Sequence, residues 1–177
     1  MQRLSQEDLI AAFKAGHRQF SDLDLSKIDL FYVDLRGIVL ARSHLRDAYL
    51  PYANLSQSDL READFCRAHL CDTHLYEADL TQADLSQALL IRANLRSGCL
   101  RRADLQGANL DGADLRQADL RQADLRGASL VKANLTGALL AKADLRGCNL
   151  FRAVGAQIEE SQCDRTTTYP DGHRHHL

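Results

Sequence analysis

The sequence predicts an all-β solenoid of square cross-section, about seven coils of four five-residue units, with a short helix over its N-terminal end. Three observations carry this. Every fifth residue from Phe20 to Leu150 is Leu or Phe, 27 units in succession. The residue two places earlier is small, Ala in 17 of the 27, and the residue one place earlier is Asp or Asn in 17. The residue just after the central one is apolar or Cys at 31, 51, 71, 91, 131 and 151, six of the seven positions spaced twenty apart from 31 to 151, and rarely so elsewhere.

The helix comes first. Ser5-Gln6-Glu7-Asp8 reads as a capping box, Leu9, Ile10 and Phe13 form an apolar stripe, and Gly16 is a stop, so the spacing predicts a helix over 6–15 within a cap of residues 1–16. The repeat then runs over 17–153. A helix turns every 3.6 residues and would scatter a five-residue period around its surface. A strand alternates with period two, so the small residue and the central Leu both point inward and the residues flanking the Leu point outward. The fifth residue must turn the corner, and Gly stands there at 37, 107, 112, 127, 137 and 147, as a turn with positive φ allows. Short strands joined by such corners stack into a solenoid. The twenty-residue recurrence makes four units one coil, and at ~4.8 Å per rung the rod is about 30 Å long. Past Leu150 the frame breaks at Val154-Gly155 and resumes three residues out of phase with Ile158, Cys163 and Thr168 as centres, which makes 154–170 a last coil and cap. Residues 171–177, with His173, His175 and His176, read as a flexible tail.

Composition excludes several functions. No run of 18 apolar residues could span a membrane. The opening MQRLSQEDLI lacks the apolar stretch of a secretory signal, so a cytoplasmic location is expected. Five cysteines at uneven spacing do not form a disulfide framework. Cys66, His69, Cys71 and His74 are zinc-type residues within nine positions, but in the frame they point outward from three different sides and cannot converge on one ion. Cys99 also points outward, and Cys148 lies in the core. An interior of Leu and Ala leaves no room for a ligand cavity, and between 43 and 148 Cys148 is its only ionisable group. Neither an enzyme nor a cofactor is expected.

What remains is the surface. Phe31, Pro51, Ile91, Val131 and Phe151 share one side, joined there by Tyr49 and Leu89 and at its corner by Tyr32 and Tyr52. A selectively apolar column along a rod predicts a contact surface for a protein partner or a second copy. Asp64, Asp84, Asp104, Asp124 and Asp144 line up on another side, with Arg46, Arg67, Arg126 and Arg146 expected beside them. Residues 17–90 hold 7 Lys and Arg against 12 Asp and Glu, a net −5, and residues 91–152 hold 11 against 6, a net +5. That polarity favours end-to-end attraction between rods.

The units in 113–130, ADLRQADLRQADLRGASL, resemble the A(D/N)LXX motif of the pentapeptide-repeat family, whose members are abundant in cyanobacteria. The match runs from 17 to 153 without a gap, and TTTYPDG resembles the closing segment of many members. The resemblance implies a right-handed quadrilateral β-helix and a non-enzymatic interaction module. It also implies an alternative, since some members resemble B-DNA in size and charge and bind DNA gyrase in its place. That would use the aspartate column, which the neighbouring arginines and the basic half oppose. A third reading, nucleic-acid binding through Arg92, Arg96, Arg101, Arg102, Arg116, Arg121 and Arg126, is weaker. Those arginines are spread over several sides, without interleaved aromatics.

Overall fold

A computed structural model describes residues 1–174. Each side of each coil contributes one ladder residue, paired in parallel with the residue twenty positions on, from Gln19 with Val39 to Asn134 with Val154. The four ladders begin at Gln19, Asp24, Asp29 and Asp34, and are called here the first to fourth sides. The short strands expected of each side are thus reduced to a single paired residue, because a corner every five residues leaves only one position extended in both directions.

The backbone bonding of one unit explains the motif. Leu105 N–H donates to the Asp124 carbonyl in the next coil (2.7 Å), and Gly107 N–H to that of Arg126 (2.9 Å). Asp104 N–H donates to the Ala83 carbonyl in the coil before (2.9 Å), while Ala108 N–H closes the corner on Leu105 (3.0 Å). One donor, Gln106 N–H, has no backbone partner, and Asp104 Oδ1 accepts it at 2.9 Å. The same bond forms in all 17 units with Asp or Asn at that place. The acidic residue of the repeat is therefore a backbone cap first and a surface charge second. Where Tyr49 takes the place of Asp or Asn, the residue needing the cap is Pro51, which has no N–H.

Every corner from Asp22 to Arg152 has φ between 54° and 74°, yet only six of them are Gly. A non-Gly residue accepts this left-handed conformation at about 1 kcal/mol, offset by the bond its N–H makes to the next coil. Inside, the central Leu residues and the Ala residues form continuous buried layers, with Phe65 the largest side chain fully enclosed. Hydroxyls at inward small positions bond to central carbonyls of the preceding coil: Ser43 Oγ to Phe20 (2.9 Å) and Thr73 Oγ1 to Leu50 (2.8 Å).

The ends depart from the repeat. β1 (Gln2–Arg3) pairs in parallel with β2 (Leu23–Asp24), an extra rung that periodicity did not announce. α1 (Gln6–Lys14) follows, with Ser5 Oγ accepting Asp8 N–H at 3.1 Å and Leu9 wholly buried on the first coil. At the other end Gln162 pairs with Asp144, only 18 residues back, and Thr168 with Asn149, 19 back. Cys163 follows Gln162 as a centre. Thr168, expected as the next centre, is instead a ladder residue, and the neighbouring Thr167 is the buried inward one, its Oγ1 donating to the Leu145 carbonyl at 2.9 Å. One extra residue sits in this corner, held by Asp164 Oδ1, which accepts from Thr166 N–H (2.9 Å), Thr166 Oγ1 (2.6 Å) and Gly147 N–H (3.2 Å).

Residues 171–174, expected in a flexible tail, close a turn: Tyr169 N–H donates to the His173 carbonyl at 2.7 Å, and Thr168 pairs antiparallel with Arg174. The expectations for His175 and His176 lie outside the described residues. No helix among the described residues is long and apolar enough to cross a membrane.

The Asp164 bonds predict an acid response. They hold its carboxyl well below the usual range, at about 2, the Thr166 side chain contributing most. A lowered folded pKa stabilises fully above the ordinary carboxylate value near 4 and ceases to as pH falls through 2. Thermal melts are expected to lose stability between pH 4 and pH 2, less steeply in Asp164→Asn, which keeps an acceptor but cannot titrate. Equal slopes for both proteins would remove Asp164 from the acid response.

Candidate interaction surface

The third side and its corner carry the apolar column, and the structure divides it. Phe31, Tyr32, Tyr49 and Tyr52 are exposed and form one cluster at the N-terminal end. Phe31 is its hub. Its ring stacks at 20° on Tyr49 with centroids 6.2 Å apart, meets Tyr52 edge-on at 5.9 Å and lies 6.3 Å from Tyr32. His69, one rung further, extends the cluster 5.7 Å beyond Tyr49. His69 is grouped by residue type with Cys66, Cys71 and His74, but its spacing of twenty from Tyr49 places it in the same ladder and is the sequence signal for this contact.

The rest of the column does not continue this patch. Pro51 is buried, and Leu89, Ile91 and Val131 are only half-exposed. Between Ile91 and Val131 stands Asp111, whose Oδ1 accepts Ser129 Oγ and, at 3.1 Å, Val131 N–H. Phe151 is separate, at the far end, where the 169–174 turn lies against it: a Cβ on Gly172 would sit 3.2 Å from its ring. The expected stripe is therefore an aromatic patch at one end and isolated apolar residues beyond it.

The aspartate column is intact as a ladder, Asp64 to Asp84 to Asp104 to Asp124 to Asp144. Arginines neutralise it unevenly. Arg46 pairs with Asp64 and reaches Asp84 at 3.7 Å, and Arg126 and Arg146 pair with Asp124 and Asp144 at 2.6 and 2.5 Å. Arg146 beside Asp144 holds that carboxyl below its ordinary value. Arg67, expected beside this column, instead reaches back along its own corner to Asp47 in the preceding coil, at 2.8 Å. Asp104 has only Gln106, whose Nε2 lies 3.1 Å from Oδ2. In the basic half, Arg116 and Arg121 fold back onto Asp114 and Asp119 of their own units, both at 2.6 Å, and Arg92 pairs with Asp72 at the same distance. These arginines are thus committed to carboxylates.

Among the described residues no three His, Cys, Asp or Glu side chains gather as they would around a metal ion. Cys66, expected to point into solvent, is buried under Arg67, whose Nη1 lies 3.8 Å from its sulfur. Cys99 Sγ lies 3.1 Å from Thr81 Oγ1. Burial pushes the Cys148 thiol up to about 12. The clefts at Ile10 and Phe13, and at Leu139 and Glu160, lie at the two ends of the rod, where cap segments meet the terminal coils.

A family model described as pentapeptide repeats matches in eight copies, over residues 24–61, 52–87, 88–127, 99–137 and 118–154. HetL, a pentapeptide repeat protein involved in heterocyst differentiation regulation from the cyanobacterium Nostoc, is 30% identical over 97% of this chain and 100% of its own, with a TM-score of 0.39. Rfr23, a pentapeptide repeat protein from the cyanobacterium Cyanothece, is 25% identical over 91% and 97%, with a TM-score of 0.36. Full-length QnrB1, a plasmid-mediated fluoroquinolone resistance protein, is 16% identical over 92% and 89%, with a TM-score of 0.52, a likeness of fold alone. No curated protein matches the chain.

Proposed function

The chain belongs to the pentapeptide-repeat family, and from that premise we propose that it is a non-enzymatic interaction module, a right-handed four-sided rod of about seven coils that presents its sides to a protein partner. The division into a helical cap over 1–16, a solenoid over 17–153 and a closing coil from 154 belongs to the same reading. Free cysteines suit a reducing, cytoplasmic setting.

The observation that carries the proposal is the exposed cluster of Phe31, Tyr32, Tyr49 and Tyr52. Large aromatics exposed together on a rigid scaffold provide contact area at little cost in side-chain entropy, and such residues dominate binding energy at interfaces. The corner conformation holds Tyr32 and Tyr52 in place (φ 58° and 60°). The partner is a different protein or a second copy of the rod. The gyrase alternative requires an unneutralised acidic side, and Arg46, Arg126 and Arg146 weigh against it. Nucleic-acid binding through the basic half is disfavoured by the commitment of Arg92, Arg116 and Arg121 to aspartates.

The test is Tyr32→Asn with Tyr52→Asn, since Asn tolerates the left-handed corner. The melting temperature is expected to stay within about 2 °C of the parent, a surface effect, while capture of the partner from native lysate is lost. The same proteins retained by both forms would remove the patch from the function, and gyrase among them would turn attention to the aspartate column.

A further inference from the structure

One rung of the ladder is missing. Every central residue from Phe20 to Leu135 donates its N–H to the coil that follows, and so do Leu145 and Leu150; Leu140 does not. At the corner before it, Gly137 N–H has no acceptor, and the Ala138 carbonyl has no donor among the described residues, whereas at the corner after it Lys142 N–H donates to the Glu160 carbonyl at 2.8 Å. Leu139 pairs backward with Asp119 and with nothing ahead, and its side chain is 49% exposed. The cause is the chain length beyond Gly155. The step from Asp144 to Gln162 is two residues shorter than a full coil, so the chain cuts across the end of the rod, packing Ala156 and Ile158 on the core, and leaves the first side uncovered.

The gap is a cleft of about 330 Å³, within the usual range for a binding pocket. One lip is apolar, with the exposed Leu139 beside Ala138 and Leu140. Arg121 also lines the cleft, its charge paired with Asp119 at 2.6 Å, and the other lip is acidic, with Glu159 and Glu160. Both are exposed and in no ion pair among the described residues. We propose that this gap is a docking slot for an extended peptide strand of a partner protein, one that alternates basic and apolar residues. The strand would accept from Gly137 and Leu140 and donate to Ala138, restoring the ladder by edge addition. Its basic side chains would meet Glu159 and Glu160 and its apolar ones Leu139. A second rod is a poor occupant, because the second and third sides rise one rung further, to Gln162 and Thr168, and keep a flat end away from the edge. The slot is at the opposite end from the aromatic patch, and either can fail without the other.

The test uses the full chain and a labelled, end-blocked peptide of sequence Lys-Val-Lys-Leu-Lys-Val, followed by fluorescence anisotropy and amide hydrogen exchange. The Leu140 amide is expected to exchange about a hundredfold faster than that of Leu120 and to become protected when peptide is added. Backbone N-methylation of the peptide, or Glu159→Lys with Glu160→Lys, is expected to weaken binding about tenfold or more. A Gly-Ser insertion between Gln157 and Ile158 restores the twenty-residue spacing, lets the chain fill its own rung and is expected to abolish binding. No binding, equal binding of the N-methylated peptide, or undiminished binding by the insertion variant would overturn the proposal. So would a Leu140 amide already protected without peptide, with sedimentation showing whether a second copy is the cause.

Discussion

Replacing Leu105 by Asp is expected to destabilise the rod severely. Leu105 is wholly buried, stacked between Leu85 and Leu125 in a layer that contains no polar group to receive a carboxylate. Burying an unpaired charge costs several kcal/mol even after local relaxation. In a solenoid each coil rests only on its neighbours, so the defect weakens the stacking on both sides of the fifth coil at once. A loss of about 5 kcal/mol lowers the melting temperature of a chain this size by about 10–20 °C. Circular dichroism with Gln106→Asp as control separates this from a general effect of added charge, since Gln106 is the adjacent outward residue. A Leu105→Asp protein that melted like the parent would refute the assignment of inward and outward positions along the repeat.

Replacing Gly155 by Ala is expected to detach the closing coil while leaving the rest of the rod intact. Gly155 is where the five-residue frame ends, with φ at 70°. A Cβ there would lie 2.6 Å from Thr136 Cα and 2.9 Å from Thr136 N, backbone atoms that cannot move without disturbing the coil beneath. Conformational strain and overpacking together cost about 3 kcal/mol. The amides of Gln162 and Thr168, bonded to the Ala143 and Cys148 carbonyls at 2.8 Å each, are expected to exchange faster. The Leu105 amide is not, because coupling along the stack is local. Unchanged exchange at Gln162 would mean that the close approach to Thr136 does not determine how the end is closed. The comparison also bears on the vacant rung, since the short crossing that exposes Leu140 starts at this glycine.

These two variants separate what is periodic in the molecule from what is not. The inward position of Leu105 follows from a five-residue spacing that any stretch of the chain displays. The role of Gly155 depends on its contact with Thr136, nineteen residues earlier, where the period has already failed. Between these extremes lie the aspartates. Their place just before each central Leu was visible, and a charged outer surface was the natural reading. Their bond to the N–H two residues on emerges only from counting which donor each unit leaves over.

The surface was legible in part. The column at 31, 51, 71, 91, 131 and 151 was visible as a spacing, but spacing does not distinguish Phe31, which projects, from Pro51, which is covered, or Ile91, which is half-covered. Exposure at a given outward position depends on how neighbouring side chains lie, such as Arg67 over Cys66, and on whether a cap segment folds across, as the 169–174 turn does near Phe151. Ion pairing was predicted with the same limit. Arg46, Arg126 and Arg146 pair with the aspartate column, whereas Arg67 reaches along its corner to Asp47 in the preceding coil.

The sequence by itself determined the repeat, the four-sided coil and the identity of the buried layers. A five-residue period with alternating inward and outward positions has one way to bury all its leucines together. The tertiary structure decided which outward residues remain exposed, which carboxylates stay without an arginine, how the ends close and where one rung is left empty. Those outcomes depend on side chains about twenty residues apart and on a closing segment two residues short of a coil, neither of which a local period contains.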